Sequence, residues 1–221
     1  MYTSEKKKRN ITKSTTNHDK SEKKIKKKIK IITNKTRILQ AIRDTKKKKT
    51  PGPDKIINEM IKAAPPHIID LLKDLYENCI LQRYIPKIWQ KTTGAVLQKP
   101  GKKDYSKPKS YRIITLSSNL LKILEKLVLW YMQKDLKLDK KMKKSQFGFR
   151  AGLSTDTATF NLMTKVELSL KQNHHALGVF LDIEGAFDSI PHTTIKKTLD
   201  KTEAKGMVSN WIQYMVQNRF I

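Results

Sequence analysis

Ala176-Leu-Gly-Val-Phe-Leu-Asp-Ile-Glu-Gly-Ala-Phe-Asp-Ser-Ile190 is an apolar run that ends abruptly in carboxylates. Leu177 to Leu181 is short, bulky and uncharged, the pattern of a strand covered on both faces. Side chains alternate along a strand, so Phe180, Asp182 and Glu184 are expected on one face and Val179, Leu181 and Ile183 on the other. Gly185 permits a turn, and Ala186-Phe187-Asp188 would then sit above the strand end, where sheet proteins tend to place ligands.

A carboxylate at a strand end suits a hard cation such as Mg2+, which keeps several waters and takes one or two protein carboxylates plus substrate phosphates. Spacing alone equally allows Asp182 to cap the turn or to pair with a lysine.

The chain has 221 residues, with 47 Lys and Arg against 20 Asp and Glu. A net charge of +27 points to a polyanionic partner, nucleic acid first. The first 50 residues alone hold 19 basic and 4 acidic residues. Residues 1–24 read as a disordered basic tail, too poor in apolar surface to offset ordering entropy. Residues 25–50 read as a basic amphipathic helix and linker, with Ile25, Ile29, Ile32, Leu39 and Ile42 near helical spacing and Thr36 interrupting, and the helix reads equally as tracking a phosphate backbone or as packing its isoleucines on the domain with the lysines in water. Cys79 is the only cysteine, which rules out an internal disulfide and a Cys-based zinc site. The amino terminus shows no secretory signal, and no apolar run is long enough to span a bilayer, so an intracellular location, nucleus or cytoplasm, is expected. Lys6-Lys-Lys-Arg9 and Lys46 to Lys49 read equally as nuclear import signals or as solvated basic runs.

Further along, Thr50-Pro-Gly-Pro-Asp-Lys-Ile56 is a turn leading into a helix, with Asp54 available as a cap. Pro65-Pro66 stops that helix, and Ile68, Ile69, Leu71, Leu72, Leu75 and Tyr76 start another and are expected in the core. Trp89, after the Ile85-Pro86 turn, is expected to pack. Residues 94–99 and 111–116 read as two strands of a hairpin with a Pro/Gly/Lys tip. Ser117 to Trp130 reads as a capped amphipathic helix continuing to about Leu136. Gln146-Phe-Gly-Phe-Arg150 is a loop, with Ser154 or Thr155 capping a helix to about Lys171. His174 and His175 are expected to be exposed, and helices are expected to begin at Pro191 and Gly206.

Phe180-Leu-Asp-Ile-Glu-Gly-Ala-Phe-Asp-Ser-Ile190 resembles the first catalytic palm motif of reverse transcriptases, in the version carried by non-LTR retrotransposons. Thr50-Pro-Gly-Pro-Asp54, the Ile85-Pro86 turn before Trp89, Tyr111-Arg112 and Gln146 to Arg150 resemble further stretches of that family, in the same order. The resemblance spans roughly residues 36–221. It implies an α+β fold: a right-hand polymerase fragment, helix-rich, with a basic fingers β-hairpin and a truncated palm sheet. Residues 51–175 would be fingers-like and 176–221 a partial palm.

It also implies an RNA-directed DNA polymerase acting on an RNA template, a DNA primer and a deoxynucleoside triphosphate, with two Mg2+ ions about 4 Å apart. Asp182 would be the catalytic metal ligand, with the Ile183 carbonyl on the same ion. Lys99 and Arg112 would hold the triphosphate, Arg because its planar fork matches phosphate oxygens. Ala186 and Phe187 would lie at the nucleotide, Phe187 beneath the sugar, and Arg150 at template or primer phosphates. Two departures stand out. The family usually has Tyr-Arg-Pro-Ile where this chain has Tyr111-Arg-Ile-Ile114, and no Tyr-x-Asp-Asp or Pro-Gln-Gly follows Ile190. A domain truncated before its remaining acids is expected to be inactive alone. The competing reading is a non-catalytic, basic nucleic-acid-binding remnant. A hydrolytic pair of Asp182 and Glu184 is disfavoured, since neighbours on one strand do not straddle a substrate.

Overall fold

The computed structural model describes residues 20–186 and 189–220. Helix α1 covers 20–32, so residues 20–24, expected in the tail, are helical. The break falls at Thr33–Asn34 rather than Thr36. Thr33 Oγ1 donates to Ile29 O at 2.9 Å and to Glu77 at 3.0 Å, and Asn34 Oδ1 caps the next helix by accepting from Thr36 N. A side chain that satisfies orphan amides lets one helix stop and another start at once.

Three helices make the main core: α2 (Lys35–Arg43), α4 (Pro66–Leu81) and α6 (Asn119–Trp130), with short α3 (Asn58–Lys62) and α5 (Lys87–Gln90) at their side. Ile38 and Ile42, Ile69 and Leu72, and Leu121, Leu124 and Leu127 meet there, each recurring at three- or four-residue spacing. Tyr76 is fully buried and donates its hydroxyl to Leu120 O at 2.7 Å, and its ring lies 6.2 Å from Trp89, which is buried as expected. The core is narrower than the sequence suggests. Ile68, Leu71 and Leu75 are exposed, because the apolar positions of α4 exceed the stripe that α2 and α6 cover, and they line an open groove with Met60.

The Pro-Gly-Pro loop is seated on the start of α6. A Cβ on Gly52 would come within 2.6 Å of Ser117 C and Ser118 N, so the close approach requires glycine. Asp54 does not cap α3; its Oδ1 accepts from Ile56 N at 3.3 Å in a turn, and the α3 N-cap is Ile57. Ser118 caps α6, which widens into a π turn at Tyr131–Asp135, where Leu136 N donates to Tyr131 O at 3.0 Å.

Strands β1 (Thr93–Gln98) and β2 (Tyr111–Leu116) pair antiparallel and form the one sheet among the described residues. Helix α7 (Thr155–Lys171) carries a full Ser154–Thr157 capping box yet has no buried residue, and Phe160 is exposed. Helices α8 (His192–Asp200) and α9 (Met207–Gln217) pack on each other, and α9 reaches α4. Trp211 and Val208 are buried, and Ser209 donates to Asp200. Phe220 then lies alongside Gln90–Thr92, exchanging Thr92 N→Phe220 O at 2.8 Å and Phe220 N→Gln90 O at 2.9 Å.

The expected central strand at 177–181 is absent. Residues 176–183 form no helix or strand and pair with no strand among the described residues, and Leu177 and Leu181 are about nine-tenths exposed. A buried strand needs ladders on its sides and layers on its faces. The hairpin does not pair with this segment, so the fold is helix-rich with a small antiparallel sheet and no palm sheet among the described residues.

Candidate functional site

The hairpin tip is held by its own polar groups. Lys99 N donates to Ser110 O at 2.8 Å, Tyr105 OH to Lys99 O and Tyr111 OH to Tyr105 O, both at 2.9 Å. The two tyrosine rings meet edge to face, and Ser110 Oγ donates to Asp104 O. A loop rich in Pro, Gly and Lys is thereby closed by bonds among its own residues, while most of its side chains stay exposed.

The bond at Lys99/Ser110 sets the ladder. Hydrogen-bonded and non-bonded pairs alternate, so Leu97/Arg112 and Ala95/Ile114 are bonded pairs and Val96/Ile113 is not. The Ile113 N–H thus points away from β1, and a proline there would remove no ladder bond. Ile113 in place of the usual proline leaves the hairpin pairing unchanged.

A groove of about 790 Å3 runs along β2, lined among others by Lys99, Tyr111, Arg112 and Thr115. The two residues expected at a triphosphate share this one concavity. Arg112 is exposed, while Lys99 Nζ donates to Lys109 O at 2.8 Å and is partly covered.

The acidic segment reaches the same hairpin by a residue that sequence reasoning did not single out. Lys109 Nζ lies 2.9 Å from Glu184 Oε1, across 75 positions of sequence. The Lys109 hydrogen bond, then its charge, hold the Glu184 carboxyl below its usual range, and Lys99 adds a weaker pull. Glu184 in turn raises Lys109. Gly185 takes a positive φ of 62°, and Ser189 N donates to Gly185 O at 2.9 Å, closing the turn that Gly185 was expected to permit. Ala186 is half-buried in this turn. Phe187 and Asp188 lie outside the described residues.

Asp182 is exposed and makes no hydrogen bond or ion pair with the described residues. It is neither a cap nor a lysine partner. Without a strand, the alternation that would place Asp182 and Glu184 on one face does not operate, and Glu184 is engaged by the hairpin. The donors offered here, one open carboxylate and the Ile183 carbonyl, are oxygens of the type Mg2+ takes, so they fit one side of a hard-cation site. Among the described residues no three His, Cys, Asp or Glu side chains converge to complete one.

Arg150 is placed away from this groove's lining and serves its own loop, donating to Gln146 O at 3.1 Å and Lys143 O at 3.2 Å. His174 and His175 are exposed, as expected. No described helix is long and apolar enough to cross a membrane.

Residues 97–220, which hold the hairpin groove and the acidic turn, match the family described as reverse transcriptase (RNA-dependent DNA polymerase). The chain is 31% identical over 177 residues to a retrovirus-related Pol polyprotein from the type-1 retrotransposable element R1 of Bradysia coprophila, covering 80% of this chain and 17% of that protein. It is 29% identical over 184 residues to a probable RNA-directed DNA polymerase from transposon BS of Drosophila melanogaster, covering 83% and 20%. It is 30% identical over 145 residues to an RNA-directed DNA polymerase from the mobile element jockey of the same fly, covering 66% and 16%. The chain spans a fifth or less of the length of these curated relatives.

Proposed function

Because the chain belongs to the reverse transcriptase family, in its non-LTR retrotransposon branch, we propose that it supplies the nucleotide-gripping hairpin and the first metal-binding acid of an RNA-directed DNA polymerase. The carrying observation is the Lys109–Glu184 contact, which moors the acidic turn to the base of the groove holding Lys99 and Arg112.

In this reading residues 51–175 are the fingers and 176–221 the first part of the palm of a right-hand polymerase. Arg112 and Lys99 bind the triphosphate of an incoming deoxynucleotide, one through a planar fork and the other as a point charge. Asp182 and the Ile183 carbonyl take a divalent ion beside that triphosphate. When bound, such an ion neutralises charge developing on the phosphoryl oxygens during transfer to a primer 3'-hydroxyl. Ala186 and Phe187 meet the nucleotide's sugar, and Arg150 meets template or primer phosphates. An RNA template, a DNA primer and the remaining acids complete the reaction.

Titration of dTTP with Mg2+ into the whole chain tests this. Arg112→Ala with Lys99→Ala is expected to weaken binding at least about tenfold, since charge-assisted phosphate contacts are among the stronger hydrogen bonds. Asp182→Asn should remove the Mg2+ dependence of that binding. Unchanged affinity in the double variant would reject the assignment of the groove.

A further inference from the structure

Taking the hairpin groove to bind the triphosphate, on which this rests, we infer that Glu184 is a built-in competitor of the incoming nucleotide. In the free chain its carboxylate holds Lys109 at the base of the groove, and a triphosphate entering the groove displaces it and releases the acidic turn. Lys109 stands in the short turn Pro108–Ser110 that leads into β2, next to Pro108 and two residues before Tyr111, both of which line the groove. The backbone beneath it is pinned. Ser110 is buried and its N donates to Lys107 O at 2.9 Å. Lys99 Nζ donates to Lys109 O at 2.8 Å, so the Lys99 ammonium ends beside the root of the Lys109 side chain.

What Lys109 grips is an anion supplied by the chain itself. Glu184 Oε1 lies 2.9 Å from its Nζ, and Glu184 also feels the charge of Lys99, so one carboxylate stands against two cations of the hairpin. Phosphate oxygens are acceptors of the same kind as a carboxylate, and a triphosphate brings several where Glu184 brings one. Both partners are suited to exchange. The pair is exposed, so water and salt screen it and little holds it shut, unlike a buried pair. A lysine is a compact charge on a flexible stem, which re-aims without moving the pinned backbone. Among the described residues no other hydrogen bond or ion pair joins residues 176–186 to the hairpin. Loss of this one therefore leaves the segment around Asp182 free to settle on the nucleotide instead. The coupling is reciprocal: a tether that opposes the triphosphate is opposed by it to the same degree.

Titration of dTTP into the whole chain tests this, because Lys109 and Glu184 are exposed and their neutral variants leave the core untouched. Glu184→Gln is expected to tighten dTTP about two- to fivefold, the range an exposed ion pair accounts for. Glu203→Gln removes the same charge from a pair with Lys141 outside the groove lining, and should move affinity less than about 1.5-fold. In a Lys109→Gln background the gain from Glu184→Gln should vanish, to within about 1.5-fold. In the wild type, dTTP should also weaken the relaxation of hairpin amides by a spin label on the acidic turn. A gain that persists without Lys109 would reduce the effect to long-range charge. No gain at all would make pair and nucleotide independent, and a label drawn closer by dTTP would place Glu184 in the bound state. Each of these overturns the proposal. If Arg112→Ala with Lys99→Ala leaves dTTP binding unchanged, the hairpin reading falls and the competitor with it. If that double variant weakens binding while Glu184→Gln does nothing, only the competitor falls.

Discussion

Lys109 Nζ and Glu184 Oε1 meet at 2.9 Å, joining the base of β2 to the acidic turn although both side chains stay 85% exposed. So exposed a pair adds little stability, yet it sets where the turn sits. Glu184 has a lowered pKa and Lys109 a raised one, so the tether is complete above the usual carboxylate range and below the usual lysine range. It is lost as pH falls through the depressed Glu184 value, or rises through the elevated Lys109 value. A spin label on the turn, read by relaxation of hairpin amides, should show the contact at neutral pH. It should loosen as pH falls through the depressed Glu184 value, and in about 1 M salt, where screening shortens to about 3 Å. Glu184→Gln should give the loosened state at every pH.

Asp182→Asn is expected to leave the melting temperature unchanged, since the side chain is exposed and makes no hydrogen bond or ion pair with the described residues. Mn2+ should broaden the amide signals of Asp182 and Ile183 in the wild type and spare them in the variant. Broadening unaffected by the substitution would place the ion elsewhere.

In the core, Leu124→Ala removes a fully buried side chain between α2, α4 and α6. A loss of about 2–5 kcal/mol by urea unfolding is expected. Tyr76→Phe deletes one hydroxyl bond to Leu120 O and should cost about 1–2 kcal/mol.

Gly52→Ala drives a Cβ into the Ser117–Ser118 backbone, which cannot yield as a flexible side chain would. We expect about 1–3 kcal/mol of destabilisation, with the mobility of the α6 amino terminus increased in hydrogen exchange.

Burial pushes the Cys79 thiol up to about 11. Its raised value favours the neutral thiol in the folded chain. The corresponding stability is present below the ordinary thiol range and is lost as pH rises toward 11. A thiol reagent at pH 8 should therefore react only after denaturant is added, and reaction in the native state would contradict the burial.

Much of this was legible in the residues. The helices at Pro66, Asn119, Thr155 and Met207 follow apolar spacing and caps, and the hairpin follows its turn chemistry, because these signals are local. The 177–181 strand was not recoverable in the same way. An apolar run states what a segment would do with neighbours, and pairing depends on which strands are there to flank it. Lys109 was missed because an ion pair across 75 positions leaves no periodic trace. The α1 break was misplaced by three residues because Asn34, a better cap than Thr36, decides it.

The unpaired stretch from Leu177 to Ile183 also bears on how the protein behaves in the tube. It is β-prone, uncharged until Asp182 and open to water, and such a strip can template edge-to-edge association between molecules. A net charge of +27 keeps neighbouring copies apart by mutual repulsion. Concentrating the protein in strong salt or beside polyphosphate would switch off that colloidal safeguard and send it out of solution.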